Sequence, residues 1–283
     1  FYSHYHPDTF GGGEQLINQI CRGTSALGVT NTVLTLSPSP VPAQVMVDGH
    51  QVVRCGIDFS LASNRFSLSV IGRLRALARE ADLVNFYYPW PWGDLCWLLA
   101  GIDKPLVVSQ LSDIVKQETL RRVYAPLESW FLRRADAIVA TSPNYLAGSR
   151  MLQRFADKVR VIPIGLDDAD YGPATPQARE RWRAELGDRF FLFVGVLRYY
   201  KGLQFLLEAL AGTGIRMAIV GAGPEQALLR EQAARLKLDN LVFLGRVSET
   251  EKRSLLDCCD AFVFPSHLRS ESFGVSLLEA ARY

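Results

Sequence analysis

The sequence predicts an α/β protein of two Rossmann-like domains facing each other across a cleft. Three observations carry this. Short apolar runs alternate with helical patterns from end to end, most of those runs are apolar at every residue, and the alternation restarts after a polar stretch past the middle of the chain. A strand covered on both faces has no polar face to show, so continuous apolar runs mark parallel sheets packed between helices. Repeated strand–helix order marks doubly wound sheets.

In the first half the strands are expected at 31–36, 82–87, 105–109, 137–141 and 159–164. In the second half they are expected at 190–196, 216–220, 241–244 and 261–264. Helices lie between them. The helix at 14–27 gathers Leu16, Ile17, Ile20 and Cys21 on one face, and the helix at 225–238 gathers Leu228, Leu229, Ala233 and Leu236. A third helix is expected at 203–211. The domain boundary falls after Ile164, Gly165 and Leu166, where the polar, Pro- and Gly-containing run 167–176 separates the two series. This gives an N-terminal domain, 1–166, and a C-terminal domain, 175–283. Residues 1–10 read as a loop entering a helix with no strand before it, and 274–283 as a helix stopped in mid-course. The sequence is therefore expected to be a piece of a longer chain, with the first strand of the N-terminal domain missing and the C-terminal domain incomplete.

With 283 residues, 48% of them hydrophobic, each domain can bury a core. The net charge of +2 and the absence of a charged tail point away from nucleic acid. No run of about 18 apolar residues is present, so no membrane-spanning helix is expected, and no signal peptide opens the sequence. The five cysteines have no metal-site spacing and read as buried reduced thiols, which suits the cytoplasm. Peripheral contact with an anionic inner membrane face remains open to the basic, aromatic segment that runs from Lys116 through Trp130 and Phe131 to Arg133 and Arg134. A solvated amphipathic helix is the alternative there.

In doubly wound sheets ligands bind beyond the carboxyl ends of the strands, so the loops after strands carry the functional reading. Gly11, Gly12, Gly13 and Glu14 precede a helix, where glycines let backbone approach phosphate and free N–H groups face an anion. Arg198 and Lys201 stand on the loop from Gly195 to Gly202, and two cations on a strand-to-helix loop suit a diphosphate. Gly221, Ala222, Gly223, Pro224 and Glu225 read as a turn and helix start, with the proline near the first helical position. The richest segment runs from Pro265 to Ala280. Its two glutamates, Glu271 and Glu279, are eight residues apart, so they are not neighbours on one helical face. They can meet two ends of an extended ligand, with Glu271 accepting from sugar hydroxyls and Glu279 from ribose hydroxyls. The backbone N–H groups of Phe273, Gly274 and Val275 stand where phosphate can be held.

Together these residues resemble glycosyltransferase family 4, of the two-domain glycosyltransferase-B fold. The spacing of Glu271 and Glu279 with Phe273-Gly274 between them matches the family's E-x7-E motif. Lys201-Gly202 matches its donor-phosphate loop, and Gly12-Gly13-Glu14 its N-terminal glycine loop. Ser142-Pro143, Pro163-Ile164-Gly165 and Gly221–Glu225 match lesser landmarks in the same order. The resemblance implies transfer of a hexose-type sugar from a nucleoside diphosphate with retention of configuration. It implies a saccharide or lipid-linked acceptor, no cofactor beyond the donor and no bound metal, in surface polysaccharide or glycolipid synthesis. It casts Glu271, Arg198, Lys201 and Asp113 as the catalytic group. It also makes the N-terminal domain the acceptor side and the C-terminal domain the donor side.

Two positions depart from the pattern. Val196 stands where many members have Arg directly after the loop glycine, and Leu111 stands in a slot that is often His. Leucine cannot bind a sugar hydroxyl or act as a base, whereas Asp113 is retained. Of the four histidines, His4, His6 and His267 lie in loops and read as ordinary loop residues. Two alternatives follow, a sugar-nucleotide-binding protein with impaired catalysis and a nucleotide-sugar epimerase. The segment around Glu271 together with Lys201 argues against the epimerase. A nicotinamide dehydrogenase is disfavoured, because no complete G-x-G-x-x-G follows the first strand of either half.

Overall fold

The computed structural model describes every residue except Phe10, Ala62, Ser63, 113–117, Arg269 and Ser272, and leaves the side chains of 118–123 undescribed. The chain divides into two compact units, Phe1–Ile164 and Gly165–Tyr283.

Unit 1 begins with helix α1 (Gly12–Ser25) and the strands β1 (Thr32–Ser37), β2 (Gln44–Val47), β3 (His50–Gly56), β4 (Phe59–Leu61) and β5 (Asn64–Phe66). A regular alternation follows: α2 (Ser69–Glu80), β6 (Val84–Tyr88), α3 (Pro91–Ala100), β7 (Leu106–Gln110), α4 (Glu118–Arg134), β8 (Ala137–Ala140), α5 (Pro143–Gly148), α6 (Arg150–Arg154) and β9 (Val159–Val161). Strands β6 to β9 lie side by side in sequence order, all parallel. Strand β3 pairs parallel with β1 and antiparallel with β2. The first two residues join these sheets. Tyr2 N–H donates to the Leu34 carbonyl at 3.2 Å, and Tyr87 N–H donates to the Phe1 carbonyl at 3.0 Å. The core under β6–β9 is rich in rings, with Phe86, Trp90, Trp97 and Phe131 all nearly inaccessible. Burying each such side chain contributes about 2–3 kcal/mol.

The run 44–66 contains four strands that the sequence reading does not predict. The physical reason is visible in β3. His50 and Arg54 are both buried, which breaks the apolar run expected of an internal strand. Each finds hydrogen-bond partners from elsewhere. Arg54 donates to Asp8 Oδ1 at 2.8 Å and to Ser37 Oγ at 2.9 Å, which ties the opening loop to the sheet. His50 Nε2 shares a 3.0 Å hydrogen bond with the Tyr5 hydroxyl.

Burial holds the His50 imidazole below its usual range, against the opposing charge of Asp48. The folded protein therefore binds this proton less readily than the unfolded chain, and stability is lost as pH falls below about 6.5. Thermal melts between about pH 7.5 and 5.5 should show a falling Tm. His50→Gln, which keeps an acceptor for Tyr5, should flatten part of that slope. An unchanged slope would remove His50 from the pH response.

Unit 2 runs through a 3-10 turn (Asp168–Asp170), α7 (Pro176–Leu186), β10 (Phe191–Val194), a second 3-10 turn (Tyr199–Lys201), α8 (Leu203–Leu210), β11 (Met217–Val220), α9 (Gln226–Arg235), β12 (Leu241–Gly245), α10 (Glu249–Cys258), β13 (Ala261–Phe262) and α11 (Val275–Ala280). The sheet order is β12-β11-β10-β13, all parallel. Successive residues of a strand point to opposite faces, and here both faces are apolar. Leu192, Val194, Ala218 and Val220 pack with Trp182, Leu186, Leu255 and Leu256 of α7 and α10. Phe193, Met217 and Ile219 pack with Leu203, Leu207 and Leu229 of α8 and α9. That is why these strands read as continuous apolar runs.

Side-chain caps fix the starts of α7 and α10. Thr175 caps α7 ahead of Pro176, and Ser248 with Glu251 forms a reciprocal capping box on α10. One expected core contact is corrected. Leu228 is 60% exposed, because α9 turns Leu229 and Ala233 inward and leaves Leu228 outside that stripe.

Candidate active site

In unit 2 the chain grows outward from β10 through β11 to β12, and then returns to lay β13 on the opposite side of β10. The strand order therefore reverses between β10 and β13. In such a sheet the crevice beyond the carboxyl ends of those two strands is the natural ligand site. Two loops frame it, 195–202 after β10 and 263–274 after β13.

These loops touch directly. The His267 N–H donates to the Tyr200 carbonyl at 3.2 Å. Gly202 has φ +71, and a Cβ there would stand 2.1 Å from the Pro265 carbonyl oxygen. Lys201, 8% exposed, pairs through Nζ with Glu271 Oε2, although the two are 70 residues apart in sequence. Ser266 Oγ donates to the same carboxylate oxygen at 3.3 Å. The ammonium also lies 5.6 Å from the ring centre of Tyr200 and 5.5 Å from that of Phe264, within cation–π range. Burial and the Glu271 charge both push the Tyr200 hydroxyl up. Gly274 packs on the same Phe264 ring. Its φ is +85, and a Cβ would meet the ring at 2.7 Å. Lys201, Glu271 and Gly274 are thus assembled around Phe264.

The other residues singled out in unit 2 lie around this centre. Arg198 is exposed at the start of the 3-10 turn, where its carbonyl accepts from the Lys201 N–H at 3.0 Å. Its charge reaches Tyr200, and it is not paired with Glu271. Phe273 and Val275 are half-buried, and α11 opens at Val275. Glu279 stands on α11, 3% exposed, turned toward α10 and the segment that opens the unit. Its Oε1 accepts from Lys252 Nζ at 2.8 Å and from the Tyr171 hydroxyl at 2.9 Å. The sequence singles out neither Lys252 nor Tyr171, nor Ser266. Lys252 looks like one more helix-surface cation, and nothing in its spacing marks it as buried.

The run Gly221–Glu225 does more than turn the chain. The Leu197 N–H donates to the Ala222 carbonyl, and the Glu225 N–H donates to the Leu197 carbonyl, both at 3.1 Å. The loops after β10 and β11 therefore lie backbone against backbone. Pro224 precedes the helix, which starts at Gln226.

In unit 1, Gly11 caps α1, Gly12 is its first residue, and Gly13 is packed closely. A Cβ on Gly13 would meet the Tyr2 hydroxyl at 3.1 Å and Leu111 Cδ1 at 3.2 Å. Leu111 thus sits against the glycine loop and joins an apolar cluster with Tyr5, Ile17 and Tyr87. Glu14 is buried, its carboxyl pushed up chiefly by burial, with His4 Nε2 at 3.8 Å. His6 is buried, and the His267 ring meets Phe205 edge-on at 5.2 Å. Asp113 and Lys116 lie outside the described residues. Of the basic, aromatic segment, Phe131 belongs to the core, Trp130 is half-buried, and Arg133 and Arg134 are exposed. Among the described residues no helix is long and apolar enough to cross a membrane. Cys21, Cys55 and Cys96 are buried free thiols, while Cys258 and Cys259 are only half-buried, because they end α10 at the edge of the core.

Comparison with known proteins bears on both units. The family profile described as glycosyl transferase 4-like domain matches residues 11–165, and that described as glycosyl transferases group 1 matches residues 175–283. The chain is similar to D-rhamnosyltransferase WbpZ of Pseudomonas aeruginosa, 53% identical over 283 residues, covering 100% of this chain and 74% of that protein. It is similar to O-antigen chain mannosyltransferase C of Escherichia coli, 43% identical over 282 residues, covering 100% of this chain and 76% of that one. Its fold is similar to that of HepE from Anabaena, solved with UDP and glucose. The TM-score is 0.72 at 22% identity, covering 97% of this chain and 76% of the other. With two parallel-sheet units and both family profiles matched in order, the chain belongs to the glycosyltransferases of the GT-B fold.

Proposed function

We propose that this glycosyltransferase is a retaining, family 4 enzyme that moves a hexose-type sugar from a nucleoside diphosphate to a saccharide or lipid-linked acceptor, in surface polysaccharide synthesis. The observation that carries the reading is the Lys201–Glu271 pair at the reversal point between β10 and β13. A cation and a carboxylate side by side match the junction of a sugar diphosphate, where phosphate oxygens meet sugar hydroxyls. The rhamnosyl- and mannosyltransferase relatives support the sugar class, and the HepE complex supports the nucleotide. On this reading unit 2 takes the donor and unit 1 the acceptor. The work is done on the cytoplasmic side of the membrane, with Arg133 and Arg134 available to an anionic leaflet.

As the glycosidic bond breaks, negative charge develops on the departing diphosphate. Lys201, with Arg198 and the backbone N–H groups from Phe273 to Val275, stabilises that charge, so no metal ion is needed. Glu271 holds the transferred sugar and Glu279 the ribose. Gly12 and Gly13 present backbone to the donor phosphate, and Asp113 serves the acceptor side. The acceptor oxygen bonds to the anomeric carbon from the face the diphosphate leaves, and its proton passes to the departing phosphate oxygen.

Calorimetry with nucleotide sugars tests the donor site. Lys201→Ala should weaken donor binding about tenfold or more, since charge-assisted bonds to phosphate are the strong ones. Unchanged affinity would remove Lys201 from the site. A second reading, donor binding without transfer, is favoured by Leu111, which fills its slot with apolar contact. Donor binding without product in the presence of acceptor would establish it.

A further inference from the structure

Glu279 is not held by its own helix. The two groups fixed on it come from other parts of unit 2, Lys252 from α10 and Tyr171 from the segment that opens the unit. Both donate to Oε1. Lys252 is 8% exposed and also pairs with Glu249 at 2.7 Å, so its ammonium bridges two carboxylates. Tyr171 is 7% exposed and is fixed in its turn. The Arg253 guanidinium lies 5.2 Å over its ring, and the Tyr283 ring packs edge-on at 6.3 Å. Around it the chain is tied down, with Arg282 Nε 2.8 Å from Asp168 and the Ala174 N–H donating to Asp257 Oδ2 at 2.7 Å.

A lone carboxylate on a six-residue helix could take several rotamers. Two donors converging on one of its oxygens leave one orientation, and direct further donors to Oε2. A ribose offers two adjacent hydroxyls as donors, and a fixed carboxylate oxygen binds them without the entropy loss of ordering a free side chain.

We propose that Lys252 and Tyr171 are positioning residues for nucleotide recognition, aiming Glu279 Oε2 at the ribose hydroxyls and so making the site select ribonucleotides over deoxyribonucleotides. This rests on the reading of Glu279 as the ribose-binding glutamate. Lys252 and Tyr171 act through Glu279 and touch no substrate.

The experiment uses the full-length protein and calorimetry. Whichever of UDP, GDP and ADP binds is compared with its 2′-deoxy form. The wild type should prefer the ribonucleotide by about tenfold, the size of one hydrogen bond to a charged group. Lys252→Met and Tyr171→Phe should each shrink that preference to about twofold, while kcat at saturating donor stays within about threefold. Lys252→Arg, which keeps a cationic donor, should restore part of the preference. Tyr171→Phe removes only one oxygen, so it carries the test if Lys252→Met does not fold.

If Glu279→Gln abolishes the preference while Lys252→Met and Tyr171→Phe leave it intact, the positioning role is refuted and the donor-site reading stands. Equal weakening of both nucleotides by the two variants marks a merely structural contact and also refutes it. A preference that survives Glu279→Gln overturns the ribose reading itself.

Discussion

Glu271→Gln is expected to lower kcat by about two orders of magnitude, roughly 2.7 kcal/mol of transition-state stabilisation. The substitution keeps the shape of the side chain and removes its charge. In the structure that charge is paired with Lys201 and accepts from Ser266, at the crevice between β10 and β13. On the proposed reading, the sugar ring becomes electron-poor as the diphosphate leaves and its hydroxyls become better donors, so a charged acceptor gains in the transition state what a neutral amide does not. The loss should therefore fall on kcat. Glu279→Gln should act differently. It should raise the donor KM about tenfold with little change in kcat, because on the proposed reading Glu279, fixed by Lys252 and Tyr171, holds the ribose and not the transferred sugar. Steady-state kinetics at varied donor concentration separates the two. The reverse pattern, or no change in either variant, would overturn the assignment.

Gly221→Ala is expected to cost at least about 4 kcal/mol of stability, enough to leave unit 2 largely unfolded at moderate temperature. Two causes act together. Gly221 has φ +127, a backbone conformation that L side chains rarely adopt, and a Cβ there would stand 1.9 Å from the Gly195 carbonyl oxygen. The obstacle is backbone and cannot rotate away. The contact closes the ladder in which Gly195 N–H donates to Val220 at 3.0 Å and Gly221 N–H donates to Gly245 at 2.7 Å. Relief would pull β10 from β11 at the end that carries the site. Denaturant unfolding followed by far-ultraviolet dichroism checks it. Gly212→Ala is the control, because its φ is also positive, +73, but nothing lies within 4 Å of its Cβ. It should cost only about 1 kcal/mol. Equal costs in the two variants would show that the approach of the two loops contributes nothing.

The amino-acid sequence by itself determined the fold class. Strands such as β11 and β6 are buried on both faces, so hydrophobicity had to appear as short continuous runs, and these are legible without coordinates. That Lys201 and Glu271 both stand on loops after strands, at the same end of a parallel sheet, was legible too, but their ion pair across 70 residues was not. What failed to show was whatever depends on a partner distant in sequence. Strand β3 was invisible because Arg54 and His50 interrupt its apolar run, and their hydrogen-bond partners Asp8, Ser37 and Tyr5 come from elsewhere in the chain. Nothing in the sequence marks Lys252 as buried, and only the packing of α10 beside α11 closes it onto Glu279. Burying a charge is tolerated only when a partner is delivered at hydrogen-bond distance. That delivery is set by the packing of the elements, so only the tertiary structure decided it.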